Sequence, residues 1–190
     1  MALLASFTFL EGAASEVAPR LLGCILEREI DGQLVQVRIV ETEAYDETDA
    51  ASHSYKGRTP RTDIMFGPAG HLYVYFTYGM HYCCNVVTGK EGTGAAVLIR
   101  AVEPISGEAL LEERRMRSGV EVTNGPAKLC KALGINKDMN GHDLSQVPLR
   151  LIIEPELPKG MIVSSVRIGI SQAKEVKWRF NIRNNAFVSR

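Results

Sequence analysis

Two strand-like segments on either side of Asp31-Gly32 set the first restriction on how this chain folds. The segments are CILEREI and QLVQVRIVETEAY, and Asp-Gly is a dipeptide preferred in two-residue hairpin turns. Further along, HLYVYFTYGMHYCCNVV alternates strongly, and GAAVLIRAVEP is typical of a buried strand that ends at Pro104. Because strands and helices do not alternate as repeated βαβ units, the sequence predicts an α+β fold with an antiparallel or mixed sheet.

Helix signals and weaker strand signals complete the predicted set of elements. The predicted helices are Ser15 to Leu22, capped by Ser15 and stopped by Gly23; Gly107 to Arg117, capped by Ser106; and one from Pro126 to a stop at Gly134. Additional strands are expected near 149–153, 166–170 and 178–183.

Composition favours a single domain spanning residues 1–190. The chain is 45% hydrophobic and 23% charged, which is ordinary for a globular protein, and it contains no internal repeat or linker-like tract. No apolar run reaches the ~18 residues of a membrane helix. The start of the chain lacks a basic region and meets Glu11 early, so it makes a poor signal peptide.

The cysteines and histidines exclude several kinds of site. The four cysteines lack a CxxC spacing and include an adjacent pair, which argues against a disulfide framework or a zinc site. The four histidines are scattered, so no metal is predicted. A reducing, cytosolic compartment fits this pattern best.

Charge is distributed unevenly although the formal net charge is zero. Residues 1–52 carry ten acidic and three basic side chains, whereas residues 159–190 carry one acidic and seven basic ones. Such a chain can present one basic face to a phosphate backbone. Salt bridges between the two ends, or ordinary solvated charge, explain the counts equally well.

An apolar stripe in the second hairpin segment points toward two acids. Residues 35, 37 and 39 are apolar and share one parity with Glu41, Glu43 and Tyr45, so counting by twos predicts that Glu43 and Tyr45 face inward. A carboxylate in that position must be paired, protonated or at a pocket mouth. Burial favours its neutral form, which an enzyme can exploit in a base. The alternative is that Glu41 and Glu43 have emerged into solvent where the strand leaves the core.

Tyrosines dominate the second pair of strands and the turn between them. Tyr73 and Tyr75 share one face, and Gly79 permits a tight reversal that leaves Tyr78 at the tip. An aromatic side chain at a tip requires a partner surface. The alternative is that these tyrosines only pack on neighbouring loops.

The loop before these strands, ASHSYKGRTPRTDIMFGPAG, combines basic and hydroxyl side chains that could grip phosphates. Its Asp63 is expected to pair with a neighbouring arginine. The chain has no GxSxG elbow, no P-loop and no GxGxxG opening a helix. Hydrolysis through an activated water is therefore the chemistry left for Glu43.

Several motifs, taken together, resemble one enzyme family over essentially the whole chain from the first helix onward. They are ETEAY (41–45), SH (52–53), GRTPR (57–61), MFGPAGHLYVYFTYGMHYCCNVV (65–87), VLIRAVEP (97–104), NGPAKLCKALGI (124–135) and RFNIRNNAFVS from 179. In this order they are similar to the alkyladenine (3-methyladenine) DNA glycosylase family.

The resemblance implies a single-domain α+β fold around a curved antiparallel sheet and hydrolysis of the N-glycosidic bond of damaged purines in duplex DNA. It implies that Glu43 is the general base and that Arg100 lies near the catalytic water. The substrate-binding residues it implies are Tyr45, His53, Tyr75 and Asn85, with the purine between Tyr45 and His53 on one side and Tyr75 on the other. The residues expected to contact DNA are the intercalating Tyr78 together with Met80, Arg58, Thr59 and Arg61.

The expected partner is double-stranded DNA with damaged purines, with no cofactor, no obligate protein partner and a monomeric chain. The stretch between Tyr45 and His53 is one residue shorter than in the mammalian members, which makes His53 the least direct of these assignments. A non-enzymatic nucleic-acid-binding module is a rival interpretation, but it leaves Glu43 without a task. An enzyme of the same fold acting on another ligand is a second rival.

Overall fold

The computed structural model describes residues 7–189, and the long strand β2 (Gln33–Tyr45) organises its sheet. One edge of β2 pairs with β5 (Ala96–Ser106), while the other edge pairs first with β1 (Ile25–Ile30) and then with β8 (Arg179–Ile182). All strand pairings among the described residues are antiparallel, which confirms the α+β class. The remaining strands are β3 (Leu72–Thr77), β4 (His81–Val87), β6 (Leu149–Ile152) and β7 (Ile162–Ser165).

The strands of residues 7–189 form one eight-stranded sheet in the order β3-β4-β5-β2-β1-β6, with β8 joining β2 to β7. The helices are α1 (Ala14–Arg20), α2 (Glu108–Arg115) and α3 (Pro126–Leu133). Helix α1 lies on β2, where the Thr42 hydroxyl donates to the carbonyl of Ala18 at 2.9 Å, and α3 lies on β4 and β5. The main apolar core therefore fills the space between the sheet and these helices.

Six short 3₁₀ helices lie in the connections of the described chain. They are Phe7–Glu11, His53–Lys56, Asp63–Phe66, Gly119–Val122, Lys137–Met139 and Lys159–Met161.

The first hairpin and the third helix form as predicted. Asp31 and Gly32 have φ values of 50° and 76°, and two successive positive φ values are what a type I′ hairpin turn requires. Helix α3 begins at Pro126, and Gly134 ends it in the left-handed conformation at φ 64°. The strands expected near 149–153 and 178–183 are also confirmed as β6 and β8.

The capping predictions for the other two helices are wrong. Helix α1 begins one residue before Ser15. Its N-cap residue is Ala13, and no side chain makes a capping hydrogen bond there. Ser106 is the last residue of β5, and Gly107 occupies the cap of α2 at φ 75°. A Cβ at Gly107 would lie 2.7 Å from the Cγ2 of Val35, so this turn against β2 requires a residue without a side chain.

Pro104 does not end its strand as predicted, because β5 continues to Ser106. Strand β4 pairs with β5 only over residues 96–98, so this edge of β5 has no neighbouring strand at Pro104. The N–H of Val102 points to this edge and donates to Thr123 at 3.4 Å. Since alternate residues point the same way, the N–H that proline lacks would face the same edge, and no ladder bond is lost.

The strand predicted at 166–170 is absent from the described chain, where β7 ends at Ser165 and an irregular segment follows. Gly169 has φ 74°, which is incompatible with a continuous strand.

The described residues form one main apolar core and one smaller cluster. The single domain predicted for residues 1–190 stays a prediction, and residues 1–6 and 190 lie outside the described range. Within that range no helix has the length and apolarity needed to cross a membrane.

Replacing Gly107 with alanine is expected to lower the free energy of unfolding by about 2–4 kcal/mol, because a side chain there adds a clash with Val35 to the cost of a positive φ. Gly119→Ala is the matched control: Gly119 also has a positive φ of 59°, but a Cβ there meets nothing within 4 Å. Its expected loss is about 1 kcal/mol. Urea denaturation of both variants measures the difference, and equal losses would contradict the proposed contact.

Candidate active site

A cavity of about 460 Å³ opens on the face of the sheet opposite α1, and most of the predicted site residues line it. The strands contribute Glu43, Tyr45, Tyr75, Asn85 and Arg100. The loops and the β3–β4 turn contribute His53, Arg61 and Tyr78. Three predicted residues do not line the cavity, namely Arg58, Thr59 and Met80.

The floor of the cavity is a row of residues that face one another across four strands. Tyr73 of β3 opposes Asn85 of β4, Asn85 opposes Leu98 of β5, and Leu98 opposes Glu43 of β2. Directly opposed residues project to the same face of a sheet, so this row lies on one side. The amide of Asn85 is held there, since its Nδ2 donates to the carbonyl of Tyr73 at 3.0 Å.

Counting by twos along β2 predicts the wrong face for Glu43 and Tyr45, because Val35, Val37 and Ile39 lie in the main core. Glu43 and Tyr45 line the cavity on the other face of the sheet. The pairing of β2 with β5 is irregular between Ile39 and Thr42, so parity cannot be carried through that point. Beyond it Thr42 and Ala44 face α1 and the main core, while Glu43 faces the cavity. The expected burial of Glu43 is nevertheless confirmed, and the alternative that Glu41 and Glu43 emerge into solvent is wrong, because both residues are 0% exposed.

Three groups surround the Glu43 carboxylate, one from its own strand and two from distant parts of the chain. The backbone N–H of Ile168 donates to Oε1 at 2.8 Å, and the Tyr45 hydroxyl donates to Oε2 at 2.8 Å. The Nη1 of Arg100 lies 3.3 Å from Oε1. These contacts fix both oxygens and leave the carboxylate facing the cavity, where it can accept a proton from a bound molecule.

Arg100 is shared between Glu43 and a second buried acid, Glu41. Its Nε donates to Glu41 Oε1 at 3.3 Å, and Arg179 of β8 donates to the same oxygen at 2.5 Å. Ser189 adds two donors to Glu41, its N–H at 2.7 Å and its hydroxyl at 3.0 Å. Because Glu41 accepts all of these bonds, it holds Arg100 in place beside Glu43.

The aromatic wall differs from the predicted arrangement. The ring centroids of His53 and Tyr75 are 4.6 Å apart in an edge-on contact, and His53 Nδ1 lies 3.0 Å from the Tyr73 hydroxyl. A flat ring held between two others requires about 7 Å between the outer rings. The prediction that a base lies between His53 and Tyr75 is therefore wrong, because these two rings belong to one wall.

Burial keeps the hydroxyl and thiol groups of the cavity protonated. It raises the pKa of Tyr45, and the charge of neighbouring Glu43 raises it further. Burial likewise raises the pKa of Tyr75, and it raises the pKa of the Cys83 thiol to about 11. Tyr45 and Tyr75 therefore offer neutral rings near neutral pH, and Cys83 is a weak nucleophile.

The turn between β3 and β4 carries Tyr78 at its tip, as predicted, and Tyr78 also lines the cavity. Tyr78 is 83% exposed at its tip with φ 51°, and Met80 is 69% exposed. Two exposed apolar side chains on one tight turn form a surface suited to contact with a partner.

Among the basic side chains of the loop before β3, one lines the cavity and another pairs within the loop. Arg61 lines the cavity, with its Cζ 5.9 Å from the centre of the Tyr75 ring. Arg58 instead donates to Asp63 at 2.6 Å, the pairing expected from the sequence. The N–H of Thr59 donates to the Thr62 hydroxyl at 2.9 Å and thereby shapes the loop.

Some of the acidic residues of the first third and the basic residues of the last third form internal ion pairs. Arg167 pairs with Asp49 and Arg179 pairs with Glu41, so basic residues of the last third neutralise acids of the first third. The open alternative of salt bridges between the two ends is therefore confirmed for these two pairs.

Sequence reasoning missed the irregular wall made by residues 168–171. Ile168 and Gly169 line the cavity there, and Arg167 lies behind it. The glycine at 169, within a segment assigned to a strand, was a local signal against that assignment. No sequence pattern near either residue indicates that Arg167 pairs with Asp49, which is 118 residues away.

No group of three or more histidine, cysteine or acidic side chains that could hold a metal ion is found within residues 7–189. All four cysteines are unpaired by disulfides and buried.

Comparison with known proteins gives a consistent result. The family model described as methylpurine-DNA glycosylase matches residues 8–186. A protein of Carboxydothermus hydrogenoformans named "Putative 3-methyladenine DNA glycosylase" is 49% identical over 176 residues, covering 92% of each chain. A protein of the same name from Methanoculleus marisnigri is 46% identical, and the match covers 96% of each chain. Another from Francisella tularensis is also 46% identical, and the match covers 92% of this chain and 93% of the relative.

His53 is expected to stay neutral well below its usual range. Burial against the tyrosine wall and the nearby Arg61 charge lower the pKa of His53 to about 4. Its neutral form therefore contributes stability that is complete above about pH 6.5 and is lost as the pH falls through about 4. His53 is an exposed residue overall, although its ring packs against Tyr75, so solvent screening reduces the size of this effect.

NMR titration of the His53 ring protons measures the midpoint, and Arg61→Gln should raise it by removing the positive charge. A midpoint at or above 6.5 in the unmodified protein would contradict the burial of this ring.

Proposed function

Because this chain belongs to the methylpurine-DNA glycosylase family, we propose that its cavity receives a damaged purine turned out of duplex DNA and that Glu43 directs hydrolysis of its N-glycosidic bond. The proposed substrates are alkylated or deaminated purines, namely 3-methyladenine, 7-methylguanine, hypoxanthine and ethenoadenine. The observation that carries the proposal is a fully buried carboxylate on the floor of an aromatic-walled cavity whose volume lies within the range of small-molecule sites.

Extrusion of the nucleotide is supported by the hairpin tip at the cavity mouth. Tyr78 can fill the gap left in the base stack, with Met80 beside it on the same turn. Extruding a nucleotide costs a few kcal/mol, and less for a damaged pair, which provides a first level of selection. Arg61 and the loop residues Arg58 and Thr59 are proposed to contact the phosphates, Arg58 by exchanging Asp63 for a phosphate oxygen.

The rings of the cavity select the extruded base by stacking. The purine lies between Tyr45 on one side and the wall of His53 and Tyr75 on the other, and base–aromatic stacking contributes about 1–3 kcal/mol per base. Alkylated purines are electron-poor and some are cationic, so they gain additional attraction from neutral phenol rings. Selection by stacking accounts for a broad substrate range without hydrogen bonds to every base edge.

Asn85 supplies the discrimination that stacking lacks. Its amide is fixed by the hydrogen bond to the Tyr73 carbonyl, so it cannot turn aside for a bulkier base. The exocyclic amine of guanine would clash with this amide, which disfavours unmodified guanine. 7-Methylguanine carries the same amine, and the attraction of its cationic ring to the phenol rings is proposed to offset the clash.

The chemical step uses a water molecule held between Glu43 and the sugar. As the bond between C1′ and the purine nitrogen breaks, the nitrogen keeps the electron pair and the sugar becomes oxocarbenium-like. Glu43 takes a proton from the water, whose oxygen bonds to C1′, and its negative charge stabilises the developing cation. Arg100, at 3.3 Å from Glu43, orients the carboxylate and the water.

An intact abasic site is the expected product. No lysine is among the described residues that line the cavity, so an amine that could form a Schiff base with C1′ is not at hand.

Glu43→Gln is expected to reduce the excision of hypoxanthine at least about 100-fold, because glutamine preserves the shape of the side chain but cannot accept the proton. Glu27→Gln is the matched control, since Glu27 is also a buried acid paired with an arginine but lies on β1 away from the cavity. Single-turnover excision from a duplex oligonucleotide measures both variants. Wild-type-like excision by Glu43→Gln would reject the mechanism.

Tyr78→Ala is expected to weaken binding to DNA containing an abasic site by about tenfold, because the stacking of the tyrosine in the duplex is lost. Met116→Ala serves as the control: Met116 is 82% exposed at the end of α2 and does not line the cavity. Fluorescence anisotropy with labelled duplex compares the two, and unchanged affinity of Tyr78→Ala would contradict the intercalating role.

A further inference from the structure

Arg167 is a buried cation directly behind the cavity wall, and the proposed chemistry gives it no part. Its side chain is 0% exposed, and its two terminal nitrogens bind both oxygens of Asp49, with one of the two distances at 3.0 Å. The same Nη1 donates to the carbonyl of Ala44 at 2.9 Å. Ala44 is the residue between Glu43 and Tyr45, so Arg167 fixes the backbone that carries both.

The guanidinium of Arg167 also supports the ring of Tyr45. Its Cζ lies 4.7 Å from the centre of that ring and 5.5 Å from the centre of the Trp178 ring. Tyr45 lines the cavity whereas Arg167 does not, so the cation lies on the side of the tyrosine that faces away from the cavity. A guanidinium over an aromatic face attracts the ring and restricts its tilt.

The residue after Arg167 reaches Glu43 itself. Ile168 donates its N–H to Glu43 Oε1 at 2.8 Å, and the wall segment that contains it has no strand pairing to hold it in place. The bonds of Arg167 to Asp49 and Ala44 anchor this segment against β2.

A purely stabilising role explains this arrangement poorly. The Nε of Arg167 is buried and has no hydrogen-bond partner among the described residues, which costs free energy. A buried ion pair is in general weak evidence for stability, because desolvation offsets the attraction between the charges. What the pair does provide is a fixed geometry at three points around Glu43.

We propose that Arg167, anchored by Asp49, is a positioning residue that holds the Tyr45 ring and the Ile168 N–H in their working geometry around Glu43. This inference rests on the proposed function of the cavity. Arg167 touches neither the base nor the water, and it acts only through Tyr45, Ala44 and Ile168.

Three variants test the proposal. Arg167→Met removes the charge and the hydrogen bonds but keeps an apolar stem, and Arg167→Lys keeps the charge without the paired geometry. Asp49→Asn leaves Arg167 intact and removes only its anchoring charge. The control is Arg28→Met, since Arg28 also joins distant segments through backbone carbonyls, those of Leu133 and Pro148, but does not line or back the cavity.

The first measurement does not depend on activity. Amide hydrogen exchange at Ile168 is expected to become about tenfold faster or more in the three test variants, because the wall segment loses its anchor. Exchange at Val97 in the buried core should stay unchanged in all of them. The Arg28→Met variant should leave exchange at both amides unchanged.

The second measurement separates positioning from binding. With saturating protein and rates normalised to active molecules, excision by Arg167→Met should fall about tenfold or more, because displaced reacting groups lose rate steeply. Affinity for abasic DNA, which has no base to stack on Tyr45, should stay within about twofold. In a Tyr45→Leu background, Arg167→Met should lower the excision rate less than about threefold, because the effects of substituting two coupled residues are not additive.

Arg167→Lys should recover part of the lost rate, and if Arg167→Met does not fold, Arg167→Lys and Asp49→Asn decide the outcome. The inference would be overturned if Ile168 exchange or excision were unchanged, or if the excision rate and the affinity for abasic DNA fell equally. A similar loss of excision rate in Arg28→Met would also overturn it. If the unmodified protein excises no damaged base, the proposed function fails, and the Ile168 exchange still decides whether Arg167 holds the wall.

Discussion

The burial of Glu43 is the constraint on which the rest of the site depends. A carboxylate with no exposed surface must find donors within the protein, because an unpaired acid in the interior is strongly unfavourable. Its donors come from its own strand, from β5 and from the irregular segment before β8. The central position of β2, paired on both edges, brings these parts of the chain together. The sheet topology and the chemistry of the site therefore have one common cause.

The same constraint extends one layer further out. Arg100 can stand beside Glu43 because Glu41 accepts it, and Glu41 is in turn satisfied by Arg179 and Ser189. On the other side of Glu43, Asp49 accepts hydrogen bonds from Arg167 and holds it in place, as Glu41 holds Arg100. Each buried charge is paired, so the inner site resists rearrangement while the exposed hairpin tip remains free to contact a large partner. This division suits the proposed extrusion of a nucleotide, in which the DNA is deformed while the enzyme keeps its own geometry.

The sequence predicted those parts of the structure that local chemistry determines. Asp31-Gly32 predicted the first hairpin, Pro126 and Gly134 predicted the third helix, and the alternating tyrosines predicted the face of β3. It failed at Gly107, where contact with β2 rather than capping preference decides the residue. The identities of most cavity residues and their grouping around one base came from the family resemblance, whereas the contacts among them did not. The contact of His53 with Tyr75 and the pairing of Arg167 with Asp49 depend on how distant segments meet, which residue patterns do not encode.

The pairing of β2 with β8 has a consequence for the order in which the site can form during protein synthesis. While the ribosome has released only the residues before β7, Glu41 lacks Arg179 and Ser189, and Glu43 lacks the N–H of Ile168. At that stage Glu41 lacks three of its four donors, and Glu43 lacks one of its three. Competence for chemistry is therefore acquired late in translation, when the last strand docks beside an otherwise finished sheet.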